Sequence, residues 1–164
     1  MALGNSDKWN EYFAKVISEE RGKAADEKQK RDDHAEALKN RAEDARRAIE
    51  NALREVVHPM MEAFARQFGN CDGPRDSRKD DVLTCLIQFL RPGEGRSPLG
   101  VEVTLTVDRD CQPSIRVKAV LQAPAHGRTE RQPEVPFQPF PLDMDNWLQE
   151  ELGSIARQFV QRGA

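Results

Sequence analysis

The sequence predicts an α+β protein: a long N-terminal helix of coiled-coil type, a small antiparallel sheet of three or four strands, and a C-terminal helix packed on that sheet. Three observations carry the prediction. From Ser6 to Phe68 the only breakers among helix-forming residues are Gly22 and Pro59. Residues 101–121 hold two alternating runs around a turn. Residues 143–159 place one apolar stripe at helical spacing behind a capping aspartate. The organisation that follows is a helical segment over 1–68, a linker loop over 69–81 and a small sheet-and-helix domain over 82–164.

Within the helix, Leu38, Ala42, Ala45, Ile49, Ala52 and Val56 recur at alternating steps of four and three. A repeat of 3.5 keeps one stripe against a neighbouring helix, so these six residues are the expected oligomer interface, with a homodimer favoured. Acidic residues four places before basic ones, such as Glu19 and Lys23 or Asp26 and Lys30, each add about 0.2–0.5 kcal/mol to an isolated helix. Nearer the start, Trp9, Tyr12, Phe13, Val16 and Ile17 share one face and form the candidate partner-binding patch. The segment either runs straight or folds back near Gly22. Pro59 lacks a backbone donor and crowds the preceding turn, which predicts a kink or short break. Gly69-Asn70 is the expected helix stop.

Residues 82–90 read as a central strand apolar on both faces, and the Gly/Pro-rich segment 91–100 as a loop. Val101, Val103, Leu105 and Val107 then alternate with polar residues, as do Ile115, Val117, Ala119 and Leu121 after a turn near Asp110 to Pro113. A hairpin with Val107 opposite Ile115, and Thr104 opposite Lys118 on the wet face, satisfies both faces. Residues 134–140 offer a fourth strand, restricted by Pro133, Pro136 and Pro139 to an edge or an extended strap. Asp143 caps the last helix, with Leu142 and Trp147 placed as a hydrophobic staple, and Met144, Leu148, Leu152, Ile155 and Phe159 form its buried stripe.

Composition narrows the function classes. Hydrophobic residues are 38%, charged residues 32% and the net charge is −3. No apolar run approaches the roughly 20 residues of a membrane span, and the first residues carry no secretory pattern, so the cytoplasm is the expected location. Cys71, Cys85 and Cys111 are widely spaced without a C-x-x-C pair, which predicts reduced thiols. His34, His58 and His126 stand at no metal-ligand spacing from one another or from a cysteine. The acidic pairs Asp80-Asp81 and Glu150-Glu151 read as solvated charge, and no phosphate-loop or dinucleotide signature is present. The expectation is therefore no metal, no cofactor and no catalytic residue.

Arg75, Arg78 and Lys79 make the densest basic stretch outside the helix, but Asp72, Asp76, Asp80 and Asp81 interrupt it. The reading that best fits is a non-enzymatic, self-associating interaction or scaffold protein that oligomerises through its N-terminal helix. Two alternatives stand beside it: a nucleic-acid-associated regulator built on a dimer, and a small-ligand sensor or enzyme with a pocket between sheet and C-terminal helix, near Cys111 and Arg116.

Overall fold

The computed structural model describes residues 3–91, 95–121 and 135–161. The chain divides into two compact units, Met1–Asn40 and Arg41–Ala164. The first is helical throughout its described length. Helix α1 spans Leu3–Ala52 without interruption, so the chain does not fold back at Gly22. A Cβ at Gly22 would meet nothing within 4 Å, so no close approach requires the glycine there. Every described side chain from Gly4 to Asn40 is exposed.

The second unit opens with the end of α1, continues through a π-helical turn at Leu53–Val57, and enters helix α2 at His58–Arg66. The π turn answers the kink expected at Pro59. A proline ring collides with the carbonyl four residues back, here that of Glu55, and the helix widens one turn upstream to avoid it. The His58 N–H accordingly reaches the Leu53 carbonyl, five residues back. The helix is re-registered rather than broken. It ends at Arg66 in a tightened turn, with Gln67 N–H donating to the Phe64 carbonyl at 3.2 Å and Phe68 N–H to that of Ala65 at 3.1 Å.

Among the described residues five antiparallel strands follow in sequential order: β1 Cys71–Lys79, β2 Val82–Arg91, β3 Gly95–Val107, β4 Pro113–Leu121 and β5 Gln138–Pro139. β1 replaces the linker expected over 69–81. Its charges and its internal Gly73-Pro74 mask the strand pattern, and they are tolerated because β1 is an edge strand with a bulge between Asp72 and Arg75. A two-residue turn at Asp80-Asp81, with Asp80 at φ 55°, joins β1 to β2. β3 also begins earlier than the loop expected over 91–100. The β2–β3 ladder is irregular between Gln88 and Leu90, and pairing resumes at Leu90 with Arg96.

The β3–β4 hairpin keeps the predicted faces and slides by two residues: Leu105 pairs with Ile115, Val103 with Val117, and Thr104 with Arg116. Alternation has a period of two, so it cannot tell these registers apart. The turn decides. The Asp108 carboxylate accepts from the backbone N–H groups of Asp110 and Gln112, each at 2.9 Å, while Asp108 N–H donates to the Gln112 carbonyl at 2.8 Å. That closure fixes Val107 opposite Pro113.

One sheet face carries Leu83, Cys85, Ile87, Phe89, Val101, Val103, Leu105, Ile115 and Val117, all buried in a single core with Ile49, Val57, Met61 and Ala65. Helix α3, Met144–Gln161, adds Leu148, Leu152, Ile155 and Phe159. Phe89 stands between Phe68 and Phe159 in edge-to-face contacts with centroids 5.0 and 5.2 Å apart. Such pairs contribute about 0.5–1.5 kcal/mol each beyond area burial. The Asp143 carboxylate caps α3 by accepting from Asn146 N–H at 3.2 Å. The expected staple does not form, since Leu142 is fully exposed while Trp147 packs on the core. On the opposite face Thr104 and Ser114 are buried rather than wet, and the Arg116 guanidinium stacks 4.3 Å over the Phe137 ring.

Candidate functional site

The structure gathers three chemically different side chains that the sequence holds far apart. His58 is the first residue of α2, its backbone set by Pro59 and the π turn before it. Asp76 lies on β1 and Cys85 on β2, directly opposite one another in the strand register. Both point to the helix-covered face, because Asp76 pairs with Cys85, whose side chain is buried in the core on that face. His58 Nδ1 sits 2.9 Å from one Asp76 oxygen and 3.0 Å from the other. The nitrogen, carboxylate and sulfur donors of His58, Asp76 and Cys85 all lie within 4.8 Å of one another.

The cluster is graded from wet to dry. The His58 and Asp76 side chains are 36% and 40% exposed, whereas Cys85 is wholly buried. Burial lifts the Cys85 thiol well above its ordinary range; the hydrogen bond it donates to Asp76, and that carboxylate's charge, raise it further. Burial alone pushes the Cys71 thiol up to about 11. A nucleophilic cysteine needs the opposite environment, one that favours thiolate, so the arrangement runs against Cys-based nucleophilic chemistry at either position. An open cleft of about 410 Å³ borders Asp76 and is also lined by Glu50, Leu53, Ser77, Arg78 and Leu83.

Sequence reasoning singled out none of the three as a ligand, and it met Asp76 only as an interruption of the basic stretch. The available signal was the Asp80-Asp81 pair: a two-residue turn there sets Lys79 against Val82, and counting three residues back along each strand brings Asp76 to Cys85.

The other predicted residues fall in different places. Of the seam, Ala45 and Ile49 are buried within the second unit, and Ala52 and Val56 pack against the same core, with Ala42 partly buried and Leu38 exposed. The stripe from Ala45 to Val56 thus covers the protein's own core, and its buried members present no face to a second chain. A coiled-coil seam and a helix-on-sheet stripe share the same spacing over three turns, which is why the sequence did not separate them. Trp9, Tyr12, Phe13, Val16 and Ile17 remain 63%, 62%, 58%, 37% and 50% exposed. Tyr12 and Phe13 touch edge to face, with centroids 5.5 Å apart.

The basic stretch is dispersed. Arg75 pairs with Asp72 at 2.7 Å, Arg78 with Glu50, and Lys118 with Glu102 at 3.5 Å. Arg78 lies on the helix-covered face and Arg75 and Lys79 on the other, as their register partners require. Cys111 and Arg116 are not brought together: Cys111 lines a hollow of about 220 Å³ with Arg41, Asp44, Ala45 and Ala48, while Arg116 points away from α3. The space between sheet and α3 is filled by Phe89, Phe159 and their neighbours. His34 is exposed on α1, and His126 lies outside the described residues.

Comparison with family models, curated proteins and solved structures finds no match for this chain. Among the described residues, no helix is long and apolar enough to cross a membrane.

Proposed function

We propose that the chain is a non-enzymatic interaction protein that self-associates through the N-terminal part of α1. The observation that carries this reading is the aromatic stripe Trp9, Tyr12, Phe13, Val16 and Ile17, left exposed on a helix whose every described side chain from Gly4 to Asn40 is exposed. The five residues stand at i, i+3, i+4, i+7 and i+8, one continuous face over two turns. Acidic and basic residues interleave along the same forty positions in nearly equal number, so a second copy meets little net repulsion in either orientation. The dimer contact therefore centres on Trp9–Ile17, with Leu38 at most an outlying contact, in place of the seam over Ala45 and Ile49. Light scattering at high micromolar concentration should return a dimer, and Phe13→Glu with Val16→Glu should return a monomer with unchanged sheet content.

The short length of the stripe favours a second reading. A two-turn aromatic face with i, i+3, i+4, i+7 anchors suits insertion into an apolar groove on a different protein. A monomer by scattering, combined with Trp9-dependent capture of one cognate chain, would place the contact there.

A further inference from the structure

We propose that His58, Asp76 and Cys85 form a mononuclear zinc site with three protein ligands and a fourth position open to solvent. The chemistry of the donors carries the assignment. An imidazole nitrogen, a carboxylate and a thiol together suit a borderline cation, and zinc takes all three ligand types. Hard cations such as magnesium and calcium are served by oxygen donors, of which this cluster holds one carboxylate.

The geometry supports it independently. Tetrahedral zinc, with metal–ligand lengths of about 2.0–2.3 Å, sets its ligands roughly 3–4 Å apart. The three donors already lie within 4.8 Å of one another, with His58 Nδ1 and an Asp76 oxygen 2.9 Å apart. A small spreading of the His58–Asp76 contact makes room for the ion. Each ligand comes from a different packed element, α2, β1 or β2, which holds the set in place better than a loop would.

Access follows from the burial gradient. Cys85 forms the closed floor, while the partly exposed His58 and Asp76 flank the entry. On coordination the Cys85 S–H bond is replaced by S–Zn and the proton leaves to solvent. The Nδ1 proton directed at Asp76 is transferred through solvent to Nε2, so that a neutral imidazole presents Nδ1 to the ion, and a water completes the tetrahedron. The resulting pattern of three protein ligands plus one open position is that of a site able to accept an exogenous ligand.

The test uses the full-length reduced protein with zinc chloride and cobalt chloride as probes. Equilibrium dialysis should give one zinc per chain, and the cobalt form should show a thiolate-to-metal charge-transfer band. Cys85→Ala, His58→Ala and Asp76→Asn should each weaken zinc by more than the roughly 10–100-fold typical of losing an outer-shell partner. A Cys71→Ser, Cys111→Ser double variant should keep both the stoichiometry and the band. Failure of the parent to retain zinc, a cobalt form lacking the thiolate band, or a folded Cys85→Ala that binds as tightly as the parent would each overturn the assignment. Should Cys85→Ala fail to fold, the partly exposed His58→Ala carries the affinity comparison and the parent's cobalt spectrum the identity of the sulfur ligand.

Discussion

Gly100 is a residue whose role the structure alone discloses. It is buried in β3, and a Cβ there would collide with the backbone carbonyl of Ile87 on β2. The sequence shows only a glycine at the end of a Gly/Pro-rich segment, which reads as a loop. Because the obstacle is backbone, neighbouring side chains cannot rotate away, and Gly100→Ala should cost about 1–3 kcal/mol by urea unfolding. Cys85 was legible as a small core residue, since it sits in an unbroken apolar run. Its partner Asp76 was not, because a charged residue in a charged segment gives no hint of which face it occupies. Cys71 shows its environment through pH. Its thiol is raised by burial from 9.0 to about 11. Below about pH 9 both folded and unfolded chains keep the proton; between there and about pH 11 the unfolded chain loses it first. Stability therefore falls as pH rises through that window, and the fall in urea midpoint should be smaller in Cys71→Ala than in the parent.

Among the elements, the β3–β4 hairpin marks where pattern stops and chemistry begins. Both faces of each strand were readable, yet the register was two residues off, because any even shift preserves the faces. Asp108 supplies the missing information by accepting two backbone hydrogen bonds inside the turn. Each such bond contributes about 0.5–1.5 kcal/mol, so Asp108→Ala should lose about 1–3 kcal/mol in urea unfolding. β1 escaped notice for another reason: an edge strand with a bulge needs neither an apolar face nor a continuous ladder, and Gly73 and Pro74 sit at the bulge itself. The α3 stripe was legible in full because a helix on one side of a sheet buries one face only. The Leu142–Trp147 staple failed because Trp147 found the core instead.

For the whole molecule, the α+β class was readable and the use of the long helix was not. Ile49, Ala52 and Val56 repeat at a spacing that serves a helical partner or the chain's own sheet equally well, and the sheet takes them. The core cluster of the second unit begins at Ile49, so a fragment beginning at Arg41 should retain the sheet and α3. Its far-UV spectrum should lose helix, while its near-UV spectrum, apart from the Trp9 and Tyr12 contribution, and its melting cooperativity stay close to those of the intact chain.

The exposure of every described side chain from Gly4 to Asn40 has an enzymatic corollary. Backbone hydrogen bonds that no tertiary packing shields open at little cost, and proteases cut what opens. With lysines and arginines spaced along that stretch, brief trypsin treatment should trim the protein to a resistant remnant starting near Arg41. Binding that occupies the helix would delay the cut, so the digestion rate itself becomes a gauge of whether anything is seated there.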